Sequence, residues 1–430
     1  MSPQAHITLR SRTLPALVFV FLILHILSPF DGWLYLFVGF GGAWLCSYYW
    51  ARTLANKLRL QREMRFGWAQ VGDRLEERYT LVNRGWLPAP WVEVIDLSTL
   101  PNRQGSRVTG VGGKAENRWT TQSVCTQRGL YTLGPTSLNL TDPLGIYQVR
   151  IESHHSTSIM VTPPVIPLPG IEIAPGGRTG EGKPKVNARE RIVSASSVRN
   201  YIPGDSLRWI HWPATAHHDE LFVRLFDGTP AANWWILLDT DPEVQAGEGP
   251  DSTLEHAIIL AASLADQGLH SHHAVGLAAG GEPAVWLPPQ EGDGHRWAIL
   301  RALALISSSG LPFEQFLERL KPSFGKNASL ILITPDVHGN WLKSLLPLTW
   351  AGAVPTVLLL NPQSFGGEGE PGGLQSTLVK QGTHHYTITR DLLTHSSSHL
   401  GHQGQWEWRF TPSGRAIPIQ QPGDFTWKQL

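Results

Sequence analysis

The chain has 430 residues, room for two or three domains, and its 35 basic side chains balance 35 acidic ones. A net charge of zero leaves no global field to gather a polyanion, which argues against nucleic acid as a partner. Charged residues make up only 16% of the chain and tryptophans number 18, a composition that fits a membrane-associated protein with aromatic-rich surfaces. The cysteines are Cys46, inside an apolar run, and Cys125, far downstream. No disulfide is expected between them, and a reducing compartment is the simpler reading.

Leu14 to Phe30 is an apolar run broken only by His25 and closed by Ser28-Pro29. After Asp31-Gly32 a second run, Trp33 to Trp50, follows at once. Each is near the roughly 17–25 residues that a membrane helix needs. No small-residue cleavage site follows the first run, so residues 1–66 read as a two-helix transmembrane hairpin with basic flanks. A cleaved signal or a buried core hairpin are the alternatives. Trp33, Tyr35, Trp44, Tyr48, Tyr49 and Trp50 crowd the second run, and the outer ones suit interfacial belts. Arg10 and Arg12 precede the first run; Arg52, Lys57, Arg59, Arg62 and Arg65 follow the second, while the turn carries only Asp31. By the positive-inside rule both ends face the cytoplasm. The expectation is a multi-pass protein of the cell membrane, with lipid as the partner of its two helices and its soluble domains on the cytoplasmic side.

Residues 67–166 have an all-β texture. Arg78 to Val82, Trp91 to Ile95, Trp119 to Val124, Leu130 to Leu133, Ser137 to Leu140 and Ile146 to Ile151 are strand-like, with turn signals between them. Short strands at this spacing suggest a small β-sandwich. Residues 167–190 form a linker dense in Pro and Gly. Its Gly176-Gly-Arg-Thr-Gly-Glu-Gly-Lys-Pro184 lacks the spacing of a phosphate-binding loop and reads as a connector.

Residues 191–362 open on Tyr201-Ile-Pro-Gly-Asp-Ser-Leu-Arg-Trp-Ile-His-Trp-Pro213 and run on to Leu221-Phe-Val-Arg-Leu-Phe226. Pro203, Gly204 and Asp205 carry turn chemistry, and 221–226 reads as a strand. No nucleophile stands beside a base. This stretch resembles the signature of the bacterial domain-of-unknown-function family 58, with Tyr201, Pro203, Gly204, Asp205, Arg208, Trp212 and Arg224 in register and His217 where the family usually has Arg. A second block, Arg128 to Pro135 followed by Asp142-Pro-Leu-Gly145, also looks like that family, and the likeness runs roughly from Gly67 to Leu360. The resemblance implies a von Willebrand factor A-like α/β domain after the signature. It also implies partnership with MoxR-type AAA+ ATPases.

The residues themselves support an α/β reading. Trp234 to Leu238 is a fully apolar strand ending at Asp239, and Ser252 and Glu255 are spaced as a capping box for a helix to Leu269. His295 to Ile306 and Phe313 to Leu320 look helical; His273 to Ala278, Ala284 to Leu287, Leu330 to Ile333 and Thr356 to Leu360 look like strands. Alternation of this kind predicts a largely parallel, doubly wound sheet. Residues 363–430 read as a Gly-, Ser- and His-rich tail with one further strand, Trp406 to Phe410.

Chemistry in such a sheet sits at the carboxyl ends of the strands. Asp239, Asp241 and Asp336 fall there. In the family picture Asp239 matches the leading Asp of a metal-ion-dependent adhesion site, but Asp241 and Glu243 replace both of its serines. No separate threonine can be placed; Ser307, Ser308 and Ser309 are the substitutes. No cofactor is expected. Mg²⁺ or Ca²⁺ on the three acids is the alternative to a degenerate site in which they only end strands and make turns. The histidine pairs lack zinc spacing.

The reading that follows is of a multidomain chain: transmembrane hairpin, β-sandwich-like domain, then von Willebrand A-like sheet. It acts as a non-enzymatic, membrane-anchored interaction module working with a MoxR-type AAA+ ATPase. Its surface would be Tyr201, Pro203, Gly204, Asp205, Arg208, Trp209, Trp212 and Arg224. The alternatives are a metal-dependent phosphohydrolase using Asp239 and Asp241 and a cation-dependent adhesion module.

Overall fold

A computed structural model describes residues 4–28, 30–64, 67–103, 105–168, 170–174, 195–201, 210, 212, 215–216, 220–226, 233–320, 328–394, 407–410, 416–420 and 428–429. The chain divides into two compact units. One joins Met1–Ile166 with Leu300–Leu305 and Leu393–Leu430; the other joins Pro167–Ile299 with Ile306–Leu392.

The first unit begins with strand β1 (Gln4–Leu9), helix α1 (Thr13–Leu27) and helix α2 (Asp31–Lys57). Ten strands follow: β2 (Leu58–Met64), β3 (Trp68–Gln70), β4 (Arg74–Asn83), β5 (Ala89–Asp96), β6 (Arg107–Val111), β7 (Ala115–Val124), β8 (Gly129–Leu133), β9 (Thr136–Thr141), β10 (Tyr147–Ser153) and β11 (Thr157–Thr162). They build a five-stranded sheet in the order β1-β10-β9-β5-β6, a three-stranded sheet β3-β11-β8, and an antiparallel set β2-β4-β7. Alternation along the strands turns Val92 and Val94, Leu138 and Leu140, and Val149 and Ile151 into one core. Ala51, Leu54 and Ala55 of α2 fill the same core.

That docking corrects the reading of the N-terminal runs. Among the described residues, no helix is long and apolar enough to cross a membrane. At fifteen residues, α1 spans about 22 Å, short of the roughly 30 Å hydrocarbon core. Helix α2 does not stop at Trp50 but runs on to Lys57, and one face of its last turns, Ala51, Leu54 and Ala55, packs on strands. Three of the aromatic residues that crowd the second run, Trp44, Tyr48 and Trp50, have protein partners. Trp44 Nε1 donates to Tyr147 Oη at 2.7 Å, Trp50 Nε1 donates to the Pro88 carbonyl at 3.1 Å, and Tyr48 meets the Tyr147 ring edge-on. Ser47 donates to buried Asp142 at 2.9 Å, tying the helix to the Asp142-Pro-Leu-Gly145 turn. Arg62, counted as a basic flank, is buried on β2. The transmembrane hairpin, lipid as the partner of two helices, and the multi-pass membrane placement with a cytoplasmic side are therefore not supported.

Arg62 belongs to a buried ionic network. Its guanidinium contacts Glu77 Oε1 at 2.5 Å, and Arg103 pairs with Glu77 and, at 2.6 Å, with Asp96. Tyr79 donates to Asp96 at 3.0 Å and Ser98 donates to the same carboxylate at 2.6 Å. Burial, reinforced by the Glu77 charge, pushes the Tyr79 phenol well above its usual range. Two cations and two anions cancel, which is what allows four charges to sit inside a β core.

The second unit opens on an antiparallel pair, β12 (Ala195–Asn200) and β13 (Phe222–Phe226). Then come β14 (Trp234–Leu238), α3 (Thr253–His270), β15 (Val275–Ala279), β16 (Val285–Gln290), α4 (Asp293–Leu305), α5 (Phe313–Leu320), β17 (Ser329–Thr334), α6 (Leu342–Trp350), β18 (Val354–Leu360), α7 (Gly372–Lys380), β19 (His384–Ile388) and α8 (Arg390–Thr394). The segment read as a tail thus supplies α7 and an edge strand. Six strands pair in the order β16-β15-β14-β17-β18-β19, all parallel except antiparallel β16. Trp235 and Leu237, Leu330 and Leu332, and Val357 and Leu359 point to one face, where α5, α6 and α7 cover them around the fully buried Trp341. Helix α3 lies against β14, β15 and β17, started by the Ser252 hydroxyl, which accepts the Glu255 N–H. Pro288 and Pro289 sit on edge strand β16, where the two of them stand opposite the single Gly276. A Cβ on Gly276 would lie 3.1 Å from the Pro289 ring and 2.8 Å from Trp235, so only glycine fits.

Near the end of the chain β20 (Glu407–Phe410) pairs with β21 (Ala416–Gln420), and β22 (Lys428–Gln429) joins β2 to extend the β2-β4-β7 sheet.

Candidate functional site

Strand β14 sits in the middle of the sheet because all five of its side chains are apolar and both neighbours run parallel to it. The chain leaves β14 toward β15 on one side, while β17 lies on the other. Loops leaving the carboxyl ends of β14 and β17 therefore diverge, which is where a doubly wound sheet forms its crevice. Asp239 ends β14, and Thr334 and Asp336 end β17.

Asp239 is fully buried. Its N–H donates to the Ile333 carbonyl at 3.0 Å, locking the two strand ends together. Oδ1 accepts the Asp241 N–H at 3.1 Å, and Oδ2 accepts the Thr334 hydroxyl at 2.5 Å. The Thr334 oxygen in turn accepts the Asp336 N–H at 2.9 Å. Asp241 accepts from the Glu243 N–H at 3.1 Å, and Asp336 from the His338 N–H at 2.7 Å. Each acid thus closes a tight turn over its own backbone, the ordinary behaviour of Asp at a strand end. Burial pushes the Asp239 carboxyl up to about 7, and the negative charges of Asp336 and Asp241 add to the rise against the two hydrogen bonds it accepts.

This arrangement brings Asp239, Asp241 and Asp336 to one crevice without making a cage. Among the described residues no group of three His, Cys, Asp or Glu side chains is placed to hold a metal ion. Asp239 offers no open lone pair toward solvent. Two of the three serines considered as hydroxyl ligands are engaged as well: Ser307 and Ser309 donate to the carbonyls of Glu282 and Gly280. The donor set does not fit Mg²⁺ or Ca²⁺ as it stands. Thr334, the hydroxyl that touches Asp239, escaped sequence reasoning. Its only signal was its place as the last residue of an apolar strand.

The signature stretch connects β12 to β13. Tyr201 is half-buried, and its N–H donates to the Leu221 carbonyl at 2.7 Å. Ile210 is buried, while Trp212 keeps 66% of its surface in solvent. Thr215 Oγ1 accepts the Phe222 N–H at 3.0 Å and fastens the end of the stretch to β13. Pro203, Gly204, Asp205, Arg208 and Trp209 lie outside the described residues, and Arg224 is described only as a backbone position on β13 opposite Val198.

Over 151 residues the chain is 31% identical to the "Uncharacterized protein YeaD" of Bacillus subtilis (strain 168), a match covering 34% of this chain and 36% of that protein. The chain therefore matches only about a third of the length of this relative. Among solved structures, the CARDB domain of PF1109 from Pyrococcus furiosus, in complex with di-metal ions, shares 15% identity over 25% of this chain and 90% of its own, with a TM-score of 0.18. The GH20 exo β-N-acetylglucosaminidase of Vibrio harveyi gives 8% identity over 71% of this chain and 58% of that one, with a TM-score of 0.15. Superpositions this poor carry no information about fold. The likeness that does stand is narrower than the one read from the sequence, since the Arg128 to Gly145 blocks fall outside it: residues 197–363 match the family described as "Protein of unknown function DUF58".

Proposed function

We propose that the chain works by docking and not by catalysis. In this reading it is an interaction module whose von Willebrand A-like unit is engaged through its signature stretch by a MoxR-type AAA+ ATPase. The observation that carries the reading is Trp212. A tryptophan two-thirds exposed costs solvation and gives nothing to the core, and exposed Trp and Arg are the side chains that most often dominate protein interfaces. The Asp239 crevice also supports it, since its acids are spent on turns and on Thr334. The reversal of strand order between β14 and β17 is the topology expected of a von Willebrand A-like sheet.

Trp212→Ala is expected to leave thermal stability unchanged, because the side chain is outside the core. Co-purification of the ATPase with the full chain should fall at least about tenfold, the effect of losing one central aromatic anchor. Arg208→Ala should act in the same direction. An ATPase retained equally by wild type and both variants would remove the proposal. Phosphate-ester turnover lost in Asp239→Asn would replace it with an enzymatic one.

A further inference from the structure

The first unit contains an open cleft of about 550 Å³ lined by Tyr49, Arg52, Thr53, Asn56, Lys57, Arg84, Gly85, Trp86 and Lys114. Four of these are cations and none is an acid. No ion pair engages Arg52, Lys57, Arg84 or Lys114 among the described residues. In a chain of zero net charge this is a local excess. The carbonyl end of α2 accounts for only a small part of it, since a helix C-terminus carries about half a negative charge.

The cleft is also built. Asn83 is buried, and its Nδ2 donates to the carbonyls of Leu87 and Gly112 while its Oδ1 accepts the Gly85 N–H. The Arg84 N–H donates to the Lys57 carbonyl at 3.1 Å, and the Lys114 N–H donates to the Gly85 carbonyl at 2.6 Å. Lys114 is held at φ +49°, and a Cβ on Gly113 would strike the Trp86 carbonyl at 2.0 Å. One turn is thus stapled to the last turn of α2 and the second turn to the first, which holds the backbone of three cations around one opening. Trp86 and Tyr49, 62% and 56% exposed, tilt toward each other at 6.5 Å on its rim.

We propose that this cleft binds a soluble organic phosphate of the nucleoside diphosphate class, its phosphates among the four cations and its ring against Trp86. The terminal phosphate carries about −1.5 to −2 at neutral pH and the inner one about −1, so the diphosphate offsets most of the excess. A planar base has a use for the exposed indole, which inorganic phosphate has not.

The test is equilibrium dialysis of the full chain against ADP and, separately, pyrophosphate at about 150 mM salt, where weak surface attraction is screened. Saturable retention of both is expected, with ADP the tighter. Arg84→Gln combined with Lys114→Gln should weaken both by about tenfold or more. Trp86→Ala should weaken ADP by about tenfold and leave pyrophosphate within about twofold. If the double variant fails to fold by circular dichroism, the ADP-against-pyrophosphate contrast of Trp86→Ala decides alone, since that side chain is mostly in solvent. Equal retention by wild type and variants overturns the proposal, as does a failure to prefer ADP over pyrophosphate. Binding to phosphatidic-acid vesicles with no retention of either soluble probe overturns it too.

Discussion

Glu77→Ala is expected to lower the stability of the β-rich unit by about 3–5 kcal/mol, the cost of removing one partner from a buried ion pair. Glu77 is fully buried and contacts both guanidinium groups of its network. Without it, Arg62 and Arg103 share only Asp96, and one positive charge is stranded in a core that cannot solvate it. Glu77→Gln keeps the shape and an acceptor oxygen but not the charge, and should recover only a minor part of the loss. The control is Glu116→Ala, since Glu116 pairs with Arg118 on the surface and such exposed pairs contribute at most about 1 kcal/mol. Urea unfolding of the three variants beside wild type checks the set. Equal midpoints for Glu77→Ala and Glu116→Ala would mean that the network adds nothing to stability.

Asp239 predicts a pH dependence of opposite logic. Its folded carboxyl titrates at about 7, against 3.8 for an unperturbed Asp. The protonated form is therefore the one that the fold favours. This contribution is complete below about pH 4, diminishes as the unfolded chain ionises, and is lost as pH rises through about 7. Asp239→Asn, which cannot ionise, should match wild type near pH 4 and exceed it by up to about 4 kcal/mol at pH 8. Hydrogen exchange of the Trp234–Leu238 amides reads this directly, because those amides open with the centre of the sheet. Asp336→Asn removes a negative neighbour and should move the wild-type transition to lower pH. A variant advantage independent of pH would show that Asp239 is ionised throughout.

The α/β unit was largely legible because its signals are local. Trp234 to Leu238 is apolar at every position, Ser252 and Glu255 announce the start of a helix, and Phe313 to Leu320 was read to the residue. Strand β19 was missed because His384-His-Tyr-Thr-Ile388 is polar enough to resemble a tail; at a sheet edge one face needs no apolar side chains. The N-terminal runs misled for a different reason. Hydropathy over a window does not fix where a helix ends: α1 stops after fifteen residues, and α2 runs past Trp50 to Lys57. Arg62 was misread as a flanking charge. Its partners lie 15 and more residues away on other strands, so no spacing rule could pair it with Glu77 or Asp96. At the candidate site the two acids at strand ends were found, yet the engagement of Asp239 by Thr334 was not, because register between β14 and β17 is not written in either segment.

The two prolines on β16 have a consequence for how the molecule behaves at high concentration. Neither Pro288 nor Pro289 carries an amide hydrogen and both fall at a break in the β15–β16 register, so a foreign strand arriving at that border meets an interrupted ladder. Growth of the sheet from one molecule into the next, the first step toward fibrils, is closed on that side. Growth of this six-stranded sheet is left to its opposite border, where His384 and His385 sit.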